Sequence, residues 1–182
     1  MGAFDSRGMP LDEFWPLLRA LSREAFLAEY PHPFLLEITA GGARPAMEFH
    51  TIHDVSRSRI DSLDDPEHGI TGASRVFGLR KFTAQFTGKV TVGRSKNNDV
   101  VVDDSRVSKL HAYVTAADGV CTLIDAESSN GTFHNGVRLP SLGRAKLANR
   151  DQVGFGGNAR FVYVEPAHFQ RRARFLLQGG QS

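Results

Sequence analysis

Two hydrophobic rhythms divide the chain. Over residues 1–30, Leu11, Phe14, Trp15, Leu18, Leu21, Ala25 and Phe26 recur at intervals of three and four, the repeat of one helical face. Asp12 is a candidate N-cap, which would leave Pro16 near the first turn, where a missing N–H does limited harm. A break near Ser22 with a second short helix is the alternative. Tyr30-Pro31-His32-Pro33 ends the helical segment, because proline pushes the residue before it out of the α region. Phe34 to Ile38 reads as a short strand and Met47 to Ile52 as a weaker one, with Gly41-Gly42 turning between them.

From Arg75 onward the period shortens to two. Lys81 to Phe86 and Lys89 to Val92 alternate apolar and polar positions. Val100–Val102, Ala112–Thr115, Val120–Ile124, Gln152–Phe155 and Arg160–Val164 follow as short runs, separated by turn residues at a spacing of about ten. Many short strands without intervening helices predict a mainly β chain, a sandwich of short antiparallel strands rather than an α/β fold. Residues 61–69 are acidic and turn-rich, the best candidate for a linker. The reading is therefore an N-terminal helical or α+β extension over 1–70, a β-domain over 71–166 and a basic tail over 167–182. Phe169 to Arg174 in that tail could be helical, and Gly179-Gly180 should fray.

Composition narrows this little. With 182 residues, 41% hydrophobic, the chain can bury one full core and carry a substantial extension. A net charge of +2 permits nucleic-acid binding without requiring it. The lone Cys121 rules out an internal disulfide framework, fits a reducing compartment and lies in a run that reads as a buried strand. No stretch has the ~18 apolar residues of a membrane helix, and no secretory signal is evident at the N-terminus. Met1-Gly2 with Ser6 fits a myristoylation pattern that is frequent by chance. A soluble cytoplasmic protein is the default expectation.

The most specific chemistry lies in the β-rich half. Gly93-Arg94, Ser108-Lys109-Leu110-His111, Ser129-Asn130-Gly131-Thr132 and Asn135-Gly136 fall on turns between short strands. They supply a guanidinium, hydroxyls, an ammonium and amides, and no nucleophile–base pair. A phosphate dianion needs a delocalised cation able to form two bonds at once, with neutral donors beside it. Each piece alone has a plain alternative: Asn-Gly is a strong hairpin signal, and Gly-Arg is common. The ordered set, from about Val76 to Glu165, resembles the forkhead-associated (FHA) family of phosphothreonine-binding domains.

That resemblance implies an FHA-like β-sandwich that binds a phosphothreonine peptide and catalyses nothing, without cofactor or metal. Arg94 and Ser108 would hold the phosphate, and Asn130 the peptide backbone beside it. Ser129 would line the site, and Lys109 could contact phosphate or stand at the rim. His111 would fix the loops from behind, with Gly93, Gly131 and Thr132 shaping the turns. Asn135 could reach the peptide or serve only its hairpin. The implied partner is a phosphothreonine protein, a Ser/Thr kinase or its substrate. One geometric difficulty stands: simple alternation puts the loops flanking Val100–Val102 at opposite ends of the sheet, separating Arg94 from Ser108. Short bulged or bent connections could reunite them.

Three other readings compete. A phosphate-independent FHA scaffold would keep the fold and lose the site. A weak nucleic-acid binder would use Arg160, Arg171, Arg172 and Arg174. A metal or hydrolytic site would use His50, His53 and Asp54, at a spacing compatible with ligation but with no second ligand cluster.

Overall fold

The computed structural model describes residues 5–39 and 70–171. Met47–Ile52, the 61–69 stretch, the His50/His53/Asp54 group, Arg172 and Arg174 lie outside the described residues.

The elements run β1 (Met9–Pro10), α1 (Leu11–Ala20), α2 (Arg23–Glu29), β2 (Phe34–Glu37), β3 (Arg75–Gly78), β4 (Lys89–Gly93) and β5 (Val100–Val101). They continue with β6 (Ala112–Ala117), β7 (Val120–Asp125), β8 (Thr132–His134), β9 (Val137–Arg138), β10 (Arg144–Leu147), β11 (Gln152–Phe155) and β12 (Ala159–Val164). Residues 166–171 are helical. The strands form two sheets packed as a sandwich, ordered β1-β3-β2-β12-β11-β8-β9 and β10-β7-β6-β4-β5.

Side-chain alternation sorts the apolar residues into two cores. Leu35, Phe77, Phe161 and Tyr163 point between the sheets, where they meet Val92, Val114, Leu123 and Phe155. Their neighbours Phe34, Leu36, Val76, Val162 and Val164 point the other way. That second face would be exposed in a bare sandwich. Here Leu11, Phe14 and Leu18 of α1, Phe26 of α2 and Phe169 cover it. The rings of Phe14, Phe26, Phe34 and Phe169 pack at centroid distances of 4.8–6.3 Å. The three consecutive apolar residues Phe34-Leu35-Leu36 are what a strand buried on both faces requires.

The helices start where neighbouring loops accept their free N–H groups. Leu11 and Asp12 donate to the carbonyls of Ser74 and Gly72 at 2.8 and 2.9 Å, so α1 begins at Leu11 and Asp12 lies inside its first turn rather than capping it. The helical stretch does break at Ser22, whose hydroxyl accepts from the Ala25 N–H and caps α2.

Lys81 to Phe86 is not a strand despite its alternation. The buried carboxylate of Asp99 takes the N–H groups of Phe82 and Thr83 at 2.7 and 2.8 Å, leaving no ladder for them to join. The same carboxylate accepts from the N–H and hydroxyl of Thr91 and pairs with Lys81 at 2.6 Å. Burial alone would raise its pKa. The Lys81 ammonium and the Thr91, Phe82 and Thr83 N–H groups outweigh burial and bring it down to about 2.

Two predictions follow from this packing. Phe26→Ala should cost about 3–5 kcal/mol in denaturant unfolding. Trp15 fluorescence and far-UV circular dichroism should still report one transition, because both cores share β2, β3 and β12; a fluorescence change that comes first would detach the helical layer. For Asp99, the depressed pKa means its stabilisation is complete above the ordinary carboxylate range and fades as pH falls through about 2. Asp99→Ala should lose about 3–5 kcal/mol near neutrality and show a smaller further loss on acidification than the parent, read from unfolding midpoints across that range.

Candidate functional site

The site is assembled at one end of the five-stranded sheet by an unusual pairing. β5 runs parallel to β4, with Val92 opposite Val100 and Gly93 opposite Val101. The 94–99 loop therefore folds back, and β5 ends at the same edge as β4. The loop leaving β5 departs where Arg94 stands, which removes the separation expected from simple alternation. Arg94 and Ser95 donate from their backbones to the carbonyls of Ser108 and Lys109 at 2.9 and 3.2 Å.

Close approach at this crossing requires Gly93. A Cβ there would lie 2.9 Å from Nδ2 of Asn98 and 3.0 Å from Cα of Leu110. Asn98 is buried and bridges the loops, its Nδ2 donating to the carbonyls of Ser95 and Lys109 at 2.7 Å each. The Arg94 side chain is exposed and lies along the second loop, with Nε donating to the Val107 carbonyl at 3.2 Å. Its two terminal nitrogens form no bond among the described residues.

His111, fully buried, joins the Ser108 and Asn130 loops. Its Nδ1 accepts from the Ser108 N–H at 3.0 Å, which leaves Nε2 to donate to the Gly131 carbonyl at 3.1 Å. Only the neutral Nε2–H tautomer satisfies both bonds. Burial pushes its pKa below the ordinary imidazole value, against the opposing pull of the Gly131 carbonyl and the Asp125 charge. The Asn130 turn is braced further by Asp125, whose buried carboxylate accepts from the hydroxyls of Ser128 and Thr132 at 2.5 and 2.6 Å. Gly131 supplies the left-handed conformation, at a φ of 90°.

These braces bring Ser108, Ser129 and Asn130 together. Ser108 Oγ accepts from the Ser129 N–H at 3.1 Å and lies 3.5 Å from Ser129 Oγ. Asn130 Nδ2 donates to the Arg106 carbonyl at 2.8 Å, leaving its second amide hydrogen and its carbonyl oxygen unused. Lys109 is exposed, and its ammonium forms no bond among the described residues. Arg94, Ser108, Lys109, Ser129 and Asn130 thus present cationic and neutral donors along one rim, an arrangement suited to an anion beside an extended backbone. Thr132 lies behind it, fully buried. Asn135 has both ends of its amide engaged, with Asp151 at 2.8 Å and the Gln152 N–H at 2.8 Å, which is hairpin duty.

Three contributors escaped sequence reasoning. Asn98 and Asp99 look like an ordinary polar pair before an apolar run, and only their burial marks them. Arg138 reaches the site through the β8–β9 pairing, opposite Phe133. The Asn135-Gly136 hairpin signal contained that return without announcing which side chain it would deliver. Among the described residues no group of three His, Cys, Asp or Glu could hold a metal, and no helix is long and apolar enough to cross a membrane.

Comparison with known proteins agrees with this geometry. Residues 90–156 match the family model described as FHA domain. An ABC transporter ATP-binding/permease protein of Mycobacterium tuberculosis is 33% identical over 89 residues, which are 49% of this chain and 10% of that protein. An oxoglutarate dehydrogenase inhibitor of Corynebacterium diphtheriae is 36% identical over 75 residues, 41% of this chain and 50% of its own length. The chain thus spans at most half the length of these curated relatives. Among solved structures, Mycobacterium tuberculosis EmbR in complex with a low-affinity phosphopeptide aligns with a TM-score of 0.47 at 18% identity, covering 74% of this chain and 24% of that one. With its two-sheet sandwich and the Arg94, Ser108 and Asn130 loops at one edge, the segment from 90 to 156 belongs to the FHA domain family.

Proposed function

We propose that this chain is a non-catalytic adaptor that binds a phosphothreonine segment of a partner protein and so reads the output of a Ser/Thr kinase. The observation that carries the reading is the convergence of Arg94, Ser108, Ser129 and Asn130 on one exposed rim, with the Arg94 guanidinium laid against the Ser108 loop. Arg94 would fork onto two phosphate oxygens, and the Ser108 hydroxyl, whose own hydrogen is unused by Ser129, would donate to the third. Lys109 would add charge from the rim, and the free half of the Asn130 amide would bond the peptide backbone. The partner is a phosphorylated kinase or kinase substrate, met in the cytoplasm. Neither nucleic acid nor membrane has a place in this account.

Magnitudes make the site a switch. Charge-assisted hydrogen bonds contribute about 1.5–3 kcal/mol each. Losing two or three of them with the phosphate would remove most of the binding energy of a short peptide. The unmodified peptide should then hardly register.

Arg94→Ala should weaken binding of a phosphothreonine peptide at least about a hundredfold, equivalent to two charge-assisted bonds, without shifting the unfolding midpoint by more than an exposed residue would. Partner capture that survives this change undiminished would move the interaction off the phosphate and favour the scaffold reading. Affinity should also fall as pH drops from about 7.5 to about 5, because the second phosphate pKa lies near 6 and the dianion is the preferred form. Isothermal titration across that range reads it directly, and a flat profile would count against dianion recognition.

A further inference from the structure

The exposed Arg138 guanidinium lies against the Asn130-Gly131 turn and has no role in the fold. A Cβ on Gly131 would come within 3.1 Å of both Cδ and Cζ of Arg138, so the side chain crosses directly over that glycine. Arg138 is exposed, and its guanidinium forms no hydrogen bond or ion pair among the described residues. Its position is set by the hairpin: β9 pairs with β8, and the left-handed residues Asn135 and Gly136 close the turn between them.

Free arginines are common on surfaces, and most are solvated. This one differs in where it rests. Its neighbour on one side is Gly131, whose carbonyl is held by His111 and by the Gly156 N–H at 3.0 Å. The next residue is Asn130, whose unused amide faces the rim. The guanidinium therefore stands on a fixed platform one residue from the group that would hold the ligand backbone. An extended peptide advances about 3.3 Å per residue. A ligand running past Asn130 would bring a side chain within one to three positions of its phosphothreonine over Arg138.

The local charge balance sets what that side chain should be. Arg94, Lys96, Lys109 and Arg138 are all exposed around the loops, and none has an acidic partner among the described residues. The nearby acid Asp104 is already turned to Arg106, at 3.5 Å. Gly131 leaves the flat face of Arg138 room to lie down, and its planar fork suits a carboxylate.

We infer that Arg138 is a specificity residue of the same site, selecting phosphothreonine segments that carry an aspartate or glutamate within three positions of the phosphothreonine. The inference rests on the phosphothreonine reading above and adds the ligand's flanking chemistry to it. Arg138 discriminates among phosphopeptides; Arg94 and Ser108 decide whether any phosphopeptide binds.

The test uses the full chain and fluorescence anisotropy with synthetic peptides. One set has a phosphothreonine flanked by alanine alone. Two further sets place aspartate, or lysine, at each of the three positions on either side. At one or more positions the aspartate peptide should bind about fivefold tighter than the alanine peptide, the upper range for an exposed ion pair, and the lysine peptide should bind more weakly. In Arg138→Gln that aspartate preference should vanish while the alanine peptide keeps its affinity. Arg23→Gln, the same charge change on the distant helix α2, should leave the preference intact. Equal binding of aspartate and alanine peptides by the parent chain would overturn the role of Arg138 and leave the phosphothreonine reading standing. A preference that persists in Arg138→Gln would do the same. Failure of every phosphopeptide, with the chain folded, would bring down both.

Discussion

A single neutral imidazole sets the geometry on which the site depends. His111 accepts a backbone proton from Ser108 and returns one to the carbonyl of Gly131, so two loops far apart in sequence are held at one separation. Protonation would set an N–H against an N–H at the Ser108 contact, and burial disfavours the charged form. The imidazole stands behind the rim and presents nothing to a ligand. Asn98 does the same service between the Arg94 and Ser108 loops, and Asp125 within the turn that presents Asn130. Polar side chains in this half of the molecule thus divide into buried ones that place loops and exposed ones left with unused donors.

This division has an energetic logic. Buried polar groups are costly unless satisfied, and Asn98, Asp99, His111 and Asp125 each have several partners. Preorganised loops owe little conformational entropy at the moment of binding. The rest of the chain supplies the rigidity that makes the arrangement affordable. The helical layer of α1, α2 and the helical residues 166–171 buries the second face of β2, β3 and β12, so the seven-stranded sheet is covered on both sides where those strands run. The site lies away from that layer, at an edge built by the five-stranded sheet and the turns entering β8.

Much of this was legible in the chain before any coordinates. The Gly-Arg, Ser-Lys-Leu-His and Ser-Asn-Gly-Thr pieces each proved to sit on the loops expected of them, and strands such as Gln152–Phe155 have the bounds that alternation gave. The failures have physical causes. Lys81 to Phe86 alternates like a strand, yet the Asp99 carboxylate captures its N–H groups, a tertiary contact that local pattern cannot contain. Arg144–Leu147 is a strand without β-branched residues, held by pairing along β7. The two-residue parallel pairing of β4 with β5 is too short to leave a periodic trace, and it decides whether Arg94 and Ser108 meet.

The central claim is that one rim, built from three distant turns, receives a phosphorylated threonine. The most direct measurement is amide chemical-shift mapping of the isotopically labelled chain during titration with a phosphothreonine peptide and its unphosphorylated twin. The account predicts shifts concentrated at Arg94, Ser108, Lys109 and the Ser129–Gly131 turn, with none for the twin. Matching shifts with both peptides, or shifts centred on the helical layer while that rim stays silent, would contradict it.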